Sequence, residues 1–256
     1  MERNIDADIA ADLADIAAEA ARLILPLWRS GLEVVSKADN SPVTEADRRG
    51  ETLILEGLAK RFPGVPVISE EHASEFGTPD AIGPRFFLVD PLDGTKAFVR
   101  GDPHFTVNIA LIDHGRPIAG AVAAPASGEL WWTADGVLKR HGDGPAELIR
   151  PRVWPEGEAL ALISHTMKTE TADALAAQYG FHRREPMDSS IKFCRIAEGA
   201  ADIYPRHGTT MEWDTAAGHA VLIAAGGRVT TPEGEPFVYG KASGGFKNGR
   251  FVARGL

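Results

Sequence analysis

The sequence predicts a protein of mixed α and β structure. Patterns with helical spacing occupy the first sixty residues, short apolar runs typical of strands follow between residues 65 and 124, and strands and helices alternate again after residue 160. The chain has 256 residues, of which 44% are hydrophobic. That is enough for one large domain or for two smaller domains that share a core.

Two amphipathic helices are predicted near the N-terminus. The first covers residues 6–28 and ends at Ser30-Gly31; its apolar positions recur at helical spacing and are Ile9, Leu13, Ile16, Ala20, Leu23 and Leu27. The second is capped by Thr44-Glu45-Ala46-Asp47 and carries Leu53, Leu55 and Leu58. The polar stretch at residues 37–42 between them is predicted to be a loop and could serve as a lid.

Three apolar segments, residues 65–69, 85–89 and 106–113, are predicted to be strands. The last of them turns at His114-Gly115 into a further strand at residues 117–124. This pair predicts a β-hairpin.

A change in composition between residues 135 and 155, where Gly, Pro and charged residues become frequent, marks the predicted domain boundary. We expect an N-terminal domain over residues 1–150 and a C-terminal domain over residues 151–256. The second is predicted to contain a strand at residues 160–164 and helices at residues 172–179 and 215–225, the last ended by Gly226-Gly227.

Composition excludes several classes of protein. A formal net charge of -9 and the absence of a basic stripe argue against nucleic acid as a partner. The acidic N-terminus does not resemble a signal peptide, and no run of about 18 apolar residues predicts a membrane span. The single cysteine, Cys194, lies in an apolar pattern and is expected to belong to the core. We therefore expect a cytoplasmic protein.

The strongest candidate for chemistry is Asp90-Pro91-Leu92-Asp93-Gly94-Thr95. Asp90 and Asp93 directly follow a predicted strand, and two carboxylates this close commonly share a divalent cation. The Leu92 carbonyl could be a further ligand. The backbone N–H groups at Gly94-Thr95 could bind phosphate. For an isolated motif, a turn with two capping aspartates is the alternative.

Two other acidic segments lie at the ends of predicted elements. Glu70-Glu71 follows the strand at residues 65–69, and Asp214 lies in Trp213-Asp214-Thr215-Ala216-Ala217-Gly218 at the start of a helix. Alone, the first could be solvated surface and the second an N-cap. Three acidic segments at strand or helix ends together favour a metal site.

These motifs, in this order, resemble those of the inositol monophosphatase-like superfamily, and the resemblance extends over nearly the whole chain. The closest similarity is to its bacterial 3′(2′),5′-bisphosphate nucleotidases. Further segments carry it: residues 39–47, residues 105–115, Ser189-Ser190-Ile191-Lys192-Phe193-Cys194 and Tyr204-Pro205-Arg206. The resemblance implies a layered α+β or α/β sandwich of the inositol monophosphatase and fructose-1,6-bisphosphatase type.

The resemblance also implies a site. It assigns two or three Mg²⁺ ions to Glu70, Asp90, Asp93, Asp214 and the Leu92 carbonyl. It implies that Thr95, hydrogen-bonded to Asp47, helps to deprotonate a metal-bound water that attacks phosphorus in line, with Glu70 also catalytic. Substrate contacts are implied for Gly94, Thr95, His165, Ser189, Lys192 and Arg206.

The expected reaction is hydrolysis of adenosine 3′,5′-bisphosphate to AMP and phosphate, a step of sulfur metabolism that the resemblance implies is sensitive to lithium. A phosphatase of the same superfamily acting on inositol 1-phosphate or histidinol phosphate is the alternative, and a non-catalytic metabolite-binding protein is a third. The expected partner is a small phosphorylated substrate, and the protein is expected to be a monomer or a homodimer.

Overall fold

The computed structural model describes residues 5–31, 33–36 and 42–256. Nearly all of the predicted lid loop, residues 37–41, lies outside the described residues. The helices in the described part of the chain are α1 (Ile5–Ile24), α2 (Glu45–Arg61), α3 (Glu70–Phe76), α4 (Thr95–Arg100), α5 (Thr169–Tyr179), α6 (Ile191–Ala197) and α7 (Glu212–Ala224). Short 3₁₀ turns cover Leu25–Leu27 and Ala242–Gly244.

In the residues that the structure describes, the first half of the chain is built on a seven-stranded sheet. Within the described ranges, β1 (Val35–Ser36) and β2 (Pro42–Val43) form a separate antiparallel pair. The large sheet has its strands in chain order: β3 (Val67–Ser69), β4 (Arg85–Asp93), β5 (Thr106–Asp113), β6 (Arg116–Ala124), β7 (Glu129–Ala134), β8 (Gly136–His141) and β9 (Glu147–Ile149). Only β3 and β4 pair in parallel; the other neighbours are antiparallel. The predicted hairpin at His114-Gly115 is confirmed.

The second half contains a smaller mixed sheet. Counted over the residues that are described, it has five strands in the order β11 (Arg183–Pro186), β10 (Leu160–Ile163), β12 (Ile203–Arg206), β16 (Phe251–Arg254), β14 (Arg228–Thr230). The strand β10 runs parallel to both neighbours, whereas β16 is antiparallel to both of its own. A short antiparallel pair joins β13 (Thr210–Met211) to β15 (Lys247–Asn248).

Alternating side chains place both sheets inside the molecule. In β4, Phe87 and Val89 pack against α1 and α2, whereas Phe86 and Leu88 face the layer that contains α6 and α7. The strand β10 alternates in the same way between that layer and α5. The layers are therefore α1 and α2, the large sheet, α6 and α7, the small sheet, and α5. The layered fold class expected from the resemblance is confirmed.

Several boundaries differ from the predictions. Helix α1 ends at Ile24 rather than near residue 28, because Pro26 lacks an N–H and disfavours helix at the preceding residue. Helix α7 begins at Glu212, three residues earlier than predicted. Strand β8 lies inside the stretch that composition marked as a boundary, where turns separate short strands.

The division into two domains remains a prediction. The large sheet ends at Ile149 and the small sheet begins at Leu160. Helix α7 nevertheless packs against β4, β5 and β6 of the large sheet as well as β14 of the small one. One apolar cluster, which includes Cys194 as predicted, joins the two halves.

Candidate active site

The end of β4 directs the acidic motif at residues 90–95 towards a cleft. The pairing of β4 with β5 shifts register between Asp90 and Asp93, and Asp90 Oδ1 accepts a hydrogen bond from Leu92 N at 2.9 Å. Such a bulge bends the strand and redirects side chains. Asp90 is almost fully buried, with 1% of its surface exposed. A fully buried carboxylate must find a partner for its charge.

Two more carboxylates lie beside Asp90. Glu70, the first residue of α3, and Asp214, in the first turn of α7, each offer an oxygen, and the oxygens of the three residues lie within 4.8 Å of one another. Burial first, and then repulsion from the neighbouring carboxylates, raise the pKa of Asp90 and the pKa of Asp214 well above their usual range. Hard oxygen donors grouped in this way fit a divalent cation such as Mg²⁺.

Asp93 lines the same pocket but makes a different contact. Its Oδ2 accepts a hydrogen bond from Ser190 N at 2.5 Å, which joins the large sheet to the start of α6. Burial raises the pKa of Asp93 to about 6 although Lys192 and the Ser190 amide favour its charged form. Below it, Ser190 Oγ donates to Asn108 Oδ1 at 2.6 Å and lies 2.8 Å from Thr106 Oγ1. These buried side-chain contacts fix Ser190, whose backbone amide donates to Asp93.

Thr95 and Asp47 form the expected pair. Thr95 Oγ1 lies 3.0 Å from Asp47 Oδ1 and 3.1 Å from the Leu92 carbonyl oxygen, so its single proton can be donated to either. The other Asp47 oxygen accepts hydrogen bonds from Thr44 N and Thr44 Oγ1, both at 2.7 Å. Burial raises the pKa of Asp47, and these hydrogen bonds oppose the rise.

Gly94 allows the chain to turn from β4 into α4. Its φ is +94°, and a Cβ atom built there would lie 2.8 Å from the carbonyl oxygen of His104. A left-handed backbone and a contact this short both require glycine. Gly94 therefore fixes where Thr95 begins α4 at the pocket wall.

Lys192 enters the pocket from α6 but is already bonded. Its ammonium donates to the carbonyl oxygens of Met187 at 3.0 Å and Ser189 at 2.5 Å and lies 4.7 Å from the centre of the Tyr204 ring. Burial lowers the pKa of Lys192 to about 8, against the attraction of Asp93. Lys192 therefore shapes the backbone around Ser189, whose φ is +59°, and retains one N–H for a ligand.

Arg206 and His165 occupy the outer part of the pocket. Arg206 Nη2 donates to the Thr209 carbonyl at 3.4 Å, whereas its buried Nε has no hydrogen-bond partner within the described chain. His165 Nδ1 lies 3.4 Å from Asp188 Oδ1. The other Asp188 oxygen accepts from Arg100 Nη2 at 2.7 Å, and this bond connects α4 to the segment before α6 across the pocket.

These residues line one shared cavity of about 360 Å³. All of the predicted site residues line it except Asp47, which reaches it through Thr95. Sequence reasoning missed Arg100, Asp188, Ser190 and Thr215, which also line the cavity. No motif marks Arg100 or Asp188, but Ser190 and Thr215 directly follow predicted residues.

Solved structures of the same layered class resemble the protein over almost its full length. CysQ from Bacteroides thetaiotaomicron, described as a bacterial member of the inositol monophosphatase family, is 33% identical, with 97% of each chain covered and a TM-score of 0.77. The Thermotoga maritima IMPase, at 22% identity and a TM-score of 0.77, covers 96% of this chain and 92% of its own and supports the fold alone.

The chain belongs to the inositol monophosphatase family, which matches residues 6–254. A curated relative, the 3′(2′),5′-bisphosphate nucleotidase CysQ of Escherichia coli K12, is 45% identical over 81% of this chain and 83% of its own length. The CysQ of Buchnera aphidicola is 39% identical over 95% of this chain and 92% of its own. A histidinol-phosphatase of Mycobacterium tuberculosis is 33% identical over 90% of this chain and 88% of its own length. The resemblance stated from the motifs is thereby confirmed.

Proposed function

We propose that the protein is a Mg²⁺-dependent 3′(2′),5′-bisphosphate nucleotidase that converts adenosine 3′,5′-bisphosphate to AMP and phosphate. The observation that carries the proposal is one cavity that joins the carboxylate cluster around the buried Asp90 to the cations Lys192 and Arg206. The identity to nucleotidases named CysQ supports the substrate. In an acidic chain, a second phosphate needs local cations of this kind.

Glu70, Asp90 and Asp214, with Asp93 and the Leu92 carbonyl beside them, would hold the metal. Bound Mg²⁺ would supply Lewis acidity and lower the pKa of a coordinated water. Hard carboxylate oxygens grouped around the buried Asp90 support magnesium over softer metals.

The chain's own residues would orient the attack and move one proton. The Thr95 hydroxyl, held 3.0 Å from Asp47, can accept a proton from the attacking water and pass its own to the carboxylate. The raised pKa of Asp47 favours that transfer. The water oxygen would bond to phosphorus as the ester P–O bond breaks on the opposite side, in line.

Arg206 and Lys192 would bind the phosphate that is not cleaved. The buried Arg206 Nε and the remaining Lys192 N–H are donors that an anion could satisfy. Inositol 1-phosphate and histidinol phosphate lack this second phosphate. The histidinol-phosphatase among the relatives makes histidinol phosphate the second candidate substrate.

The test is phosphate release, with Mg²⁺, from adenosine 3′,5′-bisphosphate, inositol 1-phosphate and histidinol phosphate measured side by side. We expect kcat/KM to be highest for the bisphosphate. A higher value for either monophosphate would retain the metal chemistry and overturn the assignment of Arg206 and Lys192.

The proposal includes the cytoplasm as the location and a monomer or homodimer as the assembly. In the described residues, no helix has the length and apolar character needed to cross a membrane.

A further inference from the structure

The N-terminus of α3 is capped by a side chain from another helix. Ser69, the residue before α3, makes no side-chain hydrogen bond to the helix. Instead, Glu51 Oε1 on α2 accepts hydrogen bonds from the backbone N–H groups of Glu71 at 3.0 Å and His72 at 3.2 Å. These are two of the donors that the first turn of a helix leaves without an intrahelical partner. Glu51 thus takes the part that an N-cap side chain usually has.

Glu51 lies one helical turn after Asp47 on the same face of α2. Asp47 binds the Thr95 hydroxyl at 3.0 Å, and Glu51 binds the first turn of α3. One face of α2 therefore contacts both Thr95 at the start of α4 and the first turn of α3.

Helix α3 depends on such outside contacts for its orientation. It has seven residues, and none of them is fully buried. A helix this short is not stable by itself, and it has little apolar surface to fix its direction. Glu70 is its first residue, covalently next to the amide that Glu51 holds. A rotation of this turn would move the Glu70 oxygen out of the group it forms with Asp90 and Asp214.

We propose that Glu51 is a positioning residue that sets the affinity of the carboxylate cluster for its divalent cation by fixing the first turn of α3 and hence Glu70. The proposal rests on the proposed function of that cluster as a metal site. The charge of Glu51 acts in the same direction, because another carboxylate near the cluster increases the attraction for a cation. Residues that orient metal ligands from outside the coordination sphere affect metal affinity about 10–100-fold.

Binding of Mg²⁺ to the full-length, metal-free protein tests the proposal without any substrate. Isothermal titration would give the Kd for the wild type, Glu51→Gln and Glu51→Met. We expect Glu51→Met, which fills the space but accepts no hydrogen bond, to raise the Kd about tenfold. Glu51→Gln keeps an acceptor oxygen and should restore most of the affinity. Glu56→Ala, on an exposed position of the same helix, should leave the Kd unchanged.

Thermal unfolding with and without Mg²⁺ separates positioning from stability alone. A purely structural role would lower the Tm of Glu51→Met equally in both conditions and leave the Kd at the wild-type value, which would overturn the proposal. If the methionine variant does not fold, an unchanged Kd for Glu51→Ala, which removes the acceptor without adding a positive charge, would overturn the proposal, and a rise of about tenfold or more with recovery in Glu51→Gln would support it. Failure of the wild type to bind any divalent cation would instead overturn the metal part of the proposed function.

Discussion

At the scale of single residues, the site is held by hydrogen bonds that compensate buried charge. Asp47, Asp90 and Asp93 each accept a bond from a backbone amide, of Thr44, Leu92 and Ser190 respectively. These bonds lower the cost of burial without neutralising the carboxylates. The backbone therefore fixes the orientation of these three carboxylates.

Replacing Asp93 with Asn should remove a metal-directed charge while keeping nearly the same shape. We expect kcat to fall about 1,000-fold, because metal stabilisation of transition-state charge is worth several kcal/mol. The measurement is kcat at saturating Mg²⁺. Asp143→Asn, at an exposed loop position, is the control and should have wild-type kcat. Near-normal turnover by the Asp93 variant would refute the role given to this carboxylate.

Replacing Arg206 with Gln should affect recognition more than chemistry. A charge-assisted hydrogen bond contributes about 1.5–3 kcal/mol, so we expect KM for adenosine 3′,5′-bisphosphate to rise roughly 10–100-fold. The KM for a monophosphate should stay within about twofold, and Arg250→Gln, on the exposed surface, is the matched control. Equal losses for both substrates would show that Arg206 acts on the cleaved phosphate instead.

At the scale of elements, short helices carry the chemistry and long ones support them. Helices α3 and α4 have seven and six residues and begin at Glu70 and Thr95. The seventeen-residue α2 fixes both through Asp47 and Glu51. A small displacement at the start of α3 or α4 therefore reaches the site directly.

Gly94→Ala should displace the start of α4. The new Cβ would meet the His104 carbonyl oxygen at 2.8 Å and would impose strain at a φ of +94°. We expect a loss of about 1–3 kcal/mol in the free energy of unfolding and a fall in kcat. Gly64→Ala is the matched control, since its φ is +85° and nothing lies within 4 Å. The Gly64→Ala variant should lose stability but keep the wild-type kcat. Denaturant unfolding and kcat, measured for both variants, test this difference.

The elements also show what could be predicted from sequence. The acidic motifs and the Thr44 capping box are local patterns, and the structure gathers the predicted residues around one cavity. The Ser190 contacts with Asn108 and Thr106 join positions more than 80 residues apart, so no local pattern announces them. The carbonyl bonds of Lys192 depend on the backbone conformation at Ser189, which composition does not indicate.

At the scale of the whole molecule, α7 is the element that both halves share. Its Gly218 allows Phe193 to approach so closely that a Cβ there would lie 2.5 Å from the ring. On the other side, Gly120 of β6 makes room for Ala217 and Ala220. Small residues therefore let the helix pack closely against the large sheet and α6.

The stability of the molecule should depend on pH through His219 of α7. Burial lowers the pKa of His219 to about 3, and its Nδ1 lies 2.9 Å from the Tyr239 hydroxyl oxygen. In the unfolded chain the pKa is about 6.5, so below that pH the unfolded state binds a proton that the folded state does not. Lowering the pH from 7.5 to 5 should therefore lower the free energy of unfolding by about 2 kcal/mol.

Comparison with His219→Gln isolates this effect. The buried carboxylates Asp90 and Asp214, with raised pKa values, act in the opposite direction but contribute equally to both proteins. Urea unfolding of the metal-free proteins at both pH values measures this difference. Between pH 7.5 and pH 5, the free energy of unfolding of the wild type should fall by about 2 kcal/mol more than that of the variant. The same pH dependence in both proteins would exclude His219 as the cause.

The position of Asp214 has a consequence for how the protein is made. Glu70, at the start of α3, and Asp90, in β4, leave the ribosome early, but Asp214 follows more than a hundred residues later on α7. Domains generally fold as they emerge, N-terminal parts first. A nascent chain thus carries an incomplete set of ligands until α7 docks. Chains released before α7 is made would lack Asp214, the third carboxylate of the cluster. Catalytic activity would therefore indicate that synthesis had passed this helix.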